Sequence, residues 1–146
     1  MIVGFSFEEM GMSGIVVVAE NGMGRYQQAV TAGQHRLLAD EPESLGGTDA
    51  GPAPFDLVMS GLGACTSMTL RMYAERKGLP LERISVTLSH DKIELDGASR
   101  DRISRRISLE GELSDEQRQR LLEIANKCPV HRLLSQSVIL ACSLEN

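Results

Sequence analysis

The chain has 146 residues, 42% of them hydrophobic, which suits one globular domain with its own core. Its net charge of −5 and its lack of any basic block exclude nucleic acid as the expected partner. No apolar run approaches the roughly 20 residues of a membrane span, and MIVGFSFEEM at the start lacks the basic segment of a signal peptide. These features predict a cytoplasmic protein whose thiols stay reduced unless chemistry oxidises them. Its three cysteines, Cys65, Cys128 and Cys142, are an odd count that argues against a disulfide framework.

In chain order, residues 13–20 (SGIVVVAE) read as a strand with a β-branched run. Asn21 to Gly24 is a turn, because Asn and Gly tolerate positive φ. Arg25 to Val30 returns as a second strand, Ala32-Gly33 turns again, and Gln34 to Ala39 is a third, giving a β-meander. Residues 40–54 form a long Gly-, Pro- and acid-rich loop. Its GGTDAGP stretch has amides suited to an anion, although a plain flexible loop is the simpler expectation.

Residues 54–77 predict one long helix around which the rest is organised. Pro54 fits the first helical position, and Gly78 followed by Leu79-Pro80 ends it. Phe55, Val58, Leu62, Cys65, Thr69 and Met72 recur at steps of three and four, and Met59, Leu70 and Tyr73 widen the stripe. Gly61 and Gly63 thin the helix around Cys65 at a cost of about 1 kcal/mol each, which suits close approach by another group. So apolar a helix needs cover on most sides, and a homodimer in which each chain helps bury the other's helix supplies it.

Leu81–Leu88 and Arg102–Leu109 read as two strands with Asp96-Gly97 turning between them. The RISRR stretch, Arg102 to Arg106, reads as a solvated strand face. Ser114 with Gln117 fits a capping box that starts another helix, with Leu121, Leu122, Ile124 and Ala125 on its apolar face. Cys128-Pro129 breaks that helix and begins a short one, PVHRLLS, and Ser137–Ser143 (SVILACS) closes the chain as a strand. No repeat or linker divides the chain, so the expectation is a single α+β domain over residues 1–146.

Cys128 stands at the expected N-cap of the helix that Pro129 opens, a placement that favours a thiolate. With Cys65 it forms a pair suited to a reaction in which one thiol is oxidised by a peroxide to a sulfenic acid and the other condenses with it to a disulfide. An arginine near the first thiol would stabilise its thiolate. The plainer reading, a buried cysteine serving as a small hydrophobe, fits Cys142 in its apolar strand. Cys128 and His131 have C-x-x-H spacing, but no second paired ligand motif accompanies it, so neither a metal nor another cofactor is expected. A Cys–His hydrolase with His131 as base is weaker, since nothing marks an oxyanion hole or an orienting residue. His35 and His90 read as surface or strand histidines.

GPAPFDLVMSGLGACTSMTLRMYAERKG together with ANKCPVHRLL resembles the OsmC/Ohr family, and HRLLADEP and GGTDAGPAP match its OsmC-like branch, so that the likeness runs from about Gln34 to the C-terminus. The resemblance implies an intertwined α+β homodimer with the long helices at its centre and two active sites at the interface. It implies thiol peroxidase activity on organic hydroperoxides, with dithiols such as dihydrolipoyl groups as reductant. By position Cys65 resembles the peroxidatic cysteine, Cys128 the resolving one, and Arg25 the arginine that activates the first. The peroxidase members carry a glutamate directly after the proline that opens the central helix, where it holds that arginine. Here the position is Phe55, with Asp56 turned about 100° away on a helix and Glu41 and Glu43 the loop acids available instead. Phe55 favours an alternative on the same scaffold, a thiol or small apolar ligand-binding protein with little or no turnover, whose slot Phe55, Met59 and Leu62 would line.

Overall fold

The computed structural model describes residues 14–145. Ser13 and the N-terminal stretch read for a signal peptide lie outside them. The chain divides into two compact units, Met1–Val58 and Met59–Asn146.

The first unit holds an antiparallel meander, β1 (Val16–Glu20), β2 (Gln28–Ala32) and β3 (His35–Ala39). Glu20 pairs with Gln28 and Ala32 with His35. The expected second strand shifts from 25–30 to 28–32 because the first turn is wider than four residues. Asn21 closes it: its Oδ1 accepts the Met23 N–H at 3.0 Å and its Nδ2 donates to Gln27 Oε1 at 2.9 Å. The loop after β3 is not the flexible segment its composition suggests. Buried Asp40 accepts from the N–H groups of Glu41, Thr48 and Ala50 at 2.8, 3.1 and 3.1 Å and from the Thr48 hydroxyl at 2.6 Å. The amides at Thr48 and Ala50 do cradle an anion, and the anion is the chain's own carboxylate.

The long helix α1 runs over Pro54–Lys77, the range its sequence signals predict. Asp56 accepts the Ala53 N–H at 3.1 Å, which gives that acid a capping role at the helix start. At the other end Gly78 takes φ of 62°, and Leu79 N–H reaches back to Ala74 O, a glycine-terminated stop. The buried face is Leu62, Gly63, Cys65, Thr66, Thr69, Leu70, Tyr73 and Ala74. The expected stripe is therefore right from Leu62 onward and wrong before it, since Phe55 is 59% exposed and Val58 is exposed too.

The second unit adds a hairpin, β4 (Arg83–Leu95) with β5 (Ala98–Glu110), and two helices, α2 (Asp115–Ala125) and α3 (Pro129–Leu134). Both strands outrun their expected ends because Asp96 and Gly97, at φ of 52° and 75°, make a two-residue turn that lets pairing continue to Leu95 and Ala98. The capping box at Ser114 and Gln117 is present. The hairpin alternates, with Ile84, Val86, Leu88, Ile103, Ile107 and Leu109 half-buried on one face. Leu88 lies over Gly63, where a Cβ would sit 2.7 Å from Leu88 Cδ1, so this glycine makes room for a strand side chain. Gly61 faces open space. Arg71 ties α1 to the approach to β4 through Leu81 O and Glu82 O, at 2.6 and 3.0 Å.

The expected C-terminal strand does not form. Residues 137–145 have no ladder, Ile139 and Leu140 are 95% and 90% exposed, and Cys142 is exposed instead of buried. A strand needs a neighbouring edge, and no described residue offers this one a partner.

Candidate functional site

The second unit brings two cysteines together from distant parts of the chain. Cys65 faces inward from the thinned middle of α1. Cys128 follows α2 after the Asn126-Lys127 turn, and Pro129 holds it extended, at φ −67° and ψ 143°. That conformation turns the side chain back over α3, where Cys128 Sγ accepts the His131 N–H at 3.3 Å. Both are free and buried, and Cys128 is fully enclosed.

Their surroundings match in kind. The Cys128 sulfur meets one α3 amide, that of His131, and one α1 hydroxyl, Thr66 Oγ1, at 3.8 Å. The groups that favour a Cys65 thiolate are likewise one α3 amide, that of Val130, and one α1 hydroxyl, that of Thr69. Burial nevertheless pushes the Cys65 thiol up from its ordinary value, and its neighbour Cys128 adds to the rise.

Arg105 gathers the site from behind. One guanidinium nitrogen donates to Thr66 Oγ1 at 2.9 Å and to Ala125 O at 3.1 Å, and the other reaches Asn126 Oδ1 at 3.0 Å and His131 Nδ1 at 2.7 Å. One residue of β5 thereby joins α1, the end of α2 and α3. The contact defines the histidine tautomer. An arginine has only donors, so His131 Nδ1 is the acceptor and the ring proton sits on Nε2. Burial and the Arg105 charge both hold the His131 pKa below the usual value. A neutral ring whose lone pair is already taken is a poor general base, which weighs against the hydrolase reading.

Of the residues singled out in the sequence, the structure therefore joins Cys65, Cys128 and His131. Arg25 lies in the first unit, exposed, with its guanidinium 5.0 Å from the Tyr26 ring centre. Cys142 is outside the cluster. Arg105 and Thr66 were missed, and RISRR is solvated only in part: Arg102 and Arg106 are exposed, but Arg105 is half-buried. The available signal was alternation, since Arg105 shares the inward row with Ile103, Ile107 and Leu109. Among the described residues no three His, Cys, Asp or Glu side chains group as metal ligands, and no helix is long and apolar enough to cross a membrane.

The sequence profile of a family described as OsmC-like protein matches residues 47–143. A search of curated proteins finds no match. Several solved structures share the fold at low identity. An OsmC-like protein from Mycoplasma pneumoniae superposes with a TM-score of 0.71 at 18% identity, covering 84% of this chain and 87% of that one. An organic hydroperoxide resistance protein OsmC from Legionella pneumophila gives 0.65 at 20%, over 84% and 88%. The organic hydroperoxide resistance protein OhrB of Bacillus subtilis gives 0.58 at 23%, over 83% and 89%.

Proposed function

The chain belongs to the OsmC-like protein family, and from that premise we propose that it is a thiol-dependent peroxidase that reduces organic hydroperoxides in oxidative-stress defence. The observation that carries this reading is the meeting of two buried free thiols, Cys65 and Cys128, each facing an α3 amide and an α1 hydroxyl. The Cys65 thiolate attacks the peroxide O–O bond and takes the terminal oxygen as a sulfenic acid, and the alkoxide leaves as the alcohol after protonation. The Cys128 thiolate then attacks the sulfenic sulfur, the S–O bond breaks, and hydroxide leaves and takes up a solvent proton to become water as the disulfide forms. A dithiol, such as a dihydrolipoyl group, returns two electrons and restores both thiols.

Burial opposes ionisation of Cys65, so the reading calls for a nearby cation, and the resemblance nominates Arg25. It also calls for a homodimer. Phe55 and Val58 on α1, the valines of β1, and Val138, Ile139, Leu140 and Leu144 are apolar side chains exposed in the single chain that a second copy would cover. A reducing, cytoplasmic setting fits three unbridged cysteines.

One observation favours a second reading: Phe55, in place of the family's glutamate, puts an exposed aromatic ring at the start of α1. A non-enzymatic binder of thiols or small apolar ligands would use that surface without turnover. The deciding experiment follows consumption of an organic hydroperoxide and of hydrogen peroxide with a dithiol by wild type and Cys65→Ser. Fast turnover of the organic substrate, abolished by the substitution, is expected. Turnover that survives Cys65→Ser would sink the mechanism, and absence of turnover with a co-purified ligand in native mass spectra would favour the binder.

A further inference from the structure

The two sulfurs are matched as far as one amide and one threonine each, and they differ behind the threonine. Among the described residues the Arg105 guanidinium bonds Thr66 and not Thr69. Thr66 is fully buried, and its single hydroxyl proton has two destinations, Leu62 O at 2.7 Å and Cys128 Sγ at 3.8 Å. While Cys128 is a thiol, the shorter bond to Leu62 holds the proton. Arg105 occupies a lone pair of the same oxygen and polarises its O–H, and a thiolate at Cys128 would turn that O–H toward sulfur. The four partners of Arg105 are all neutral: a hydroxyl, a carbonyl, an amide oxygen and an unprotonated ring nitrogen. A Cys128 thiolate supplies the negative charge this cluster lacks. Among the described residues, the titratable or charged groups brought to Cys128 are Cys65 from α1, Arg105 from β5 and His131 from α3. The end of α2 contributes the neutral Asn126, and Lys127 beside it is exposed.

We propose that Arg105, acting through Thr66, is a positioning residue that stabilises a thiolate at Cys128 and makes Cys128 the leaving sulfur of the oxidised pair, so that a reducing dithiol attacks the disulfide at Cys65. The second half rests on the peroxidase reading. In that step a thiolate of the dithiol forms an S–S bond to Cys65, the Cys65–Cys128 bond breaks, and its electron pair stays on Cys128. The second thiolate of the dithiol then closes on its own mixed disulfide and releases Cys65, which takes up a proton. The dithiol is oxidised by two electrons and the two cysteines are reduced by two.

Two measurements test this. The first titrates Cys128 by ultraviolet thiolate absorbance in Cys65→Ser, Cys142→Ser protein. Thr66→Val is expected to raise the midpoint by about one pH unit, a tenfold change in the thiolate equilibrium. Thr66→Ser should restore it and Arg105→Gln should raise it likewise, while Cys65, titrated in Cys128→Ser, Cys142→Ser protein, stays put. An unmoved Cys128 midpoint, or equal movement of both thiols, overturns the assignment. Should Arg105→Gln not fold, the near-isosteric Thr66→Val decides alone. The second measurement oxidises Cys142→Ser protein with an organic hydroperoxide, adds a monothiol, and locates the mixed disulfide by peptide mass spectrometry. Attachment at Cys65 is expected, and attachment at Cys128 overturns the release step. If no Cys65–Cys128 disulfide forms, the release step falls with the peroxidase reading, and the titration still settles the thiolate.

Discussion

Asp40 in the first unit and Arg105 in the second each gather four hydrogen bonds, and they do it in opposite ways. The Asp40 carboxylate collects four donors from Glu41, Thr48 and Ala50, all within ten residues. The Arg105 guanidinium collects four acceptors from Thr66, Ala125, Asn126 and His131, spread over three helical segments. Both satisfy a charge with neutral partners instead of a counter-ion. The carboxylate ties its own loop together through donors close in the chain. The guanidinium joins segments that already have folds of their own, and two of its acceptors, Thr66 and His131, also touch the Cys128 sulfur. A local anchor and a global clamp thus differ in what fails with them.

Arg105→Leu should therefore be the most damaging change. It leaves Ala125 O and His131 Nδ1 without their donor in a half-buried setting and Asn126 Oδ1 facing solvent, and hydrogen bonds to a charge are worth about 1.5–3 kcal/mol each. A loss of about 3 kcal/mol is expected, with Tm lowered by roughly 10 °C in calorimetry. A Tm within a degree or two of wild type would show that the clamp is replaceable by water and break the contrast with Asp40.

The same contrast explains what the sequence disclosed. The ends of α1, the capping box at Ser114 and the Asp96-Gly97 turn depend on residues close in the chain, and each was readable. Asp40 was as local, yet it was masked by the composition of its loop, where Gly and acid suggest slack and a tied loop has the same letters. Arg105 depends on Thr66 and His131, 39 and 26 residues away, and no pattern in RISRR announces such partners. Helical periodicity marked one side of α1 as apolar, but periodicity does not say what covers a face. Phe55 and Val58 are exposed for that reason, and so is the SVILACS segment, whose β-branched run promised a strand without promising an edge to pair with. Of the site, the cysteines and His131 were legible because thiol and imidazole chemistry is written in the residue type. The hydroxyl and guanidinium that tune them were not.

Asp40→Asn should have the next largest effect, confined in place and in pH. The Thr48 hydroxyl first, and then the backbone amides of Ala50, Glu41 and Thr48, hold the Asp40 carboxyl below its ordinary pKa. A group depressed in the folded state stabilises above its unfolded pKa, and that contribution is lost as pH falls through the folded value. Asp40→Asn should therefore lower the urea midpoint by a constant amount at neutral pH, and the gap to wild type should begin to close below about pH 4, where the unfolded carboxyl protonates, and finish closing as pH falls through the lower folded value. Limited proteolysis at neutral pH should show new cleavage within residues 41–52. A gap that persists unchanged into acid would mean that shape, and not charge, is what Asp40 supplies.

The smallest effect is the most direct reading of the clamp. His131 is held neutral by burial and by Arg105, so its imidazole should titrate in NMR below the usual value of about 6.5. Its depressed pKa means that native stability contains a part that is full above about pH 6.5 and is lost as pH falls toward the folded value. Arg105→Gln removes the positive charge, the second of the two causes, and leaves the first. The His131 midpoint should then rise part of the way back, by a fraction of a pH unit. Because the amide nitrogen of the new glutamine can still donate to Nδ1, a rise of the midpoint would report the charge and not the hydrogen bond. An unmoved His131 would assign its whole depression to burial and reduce Arg105 from an electrostatic partner to a geometric one.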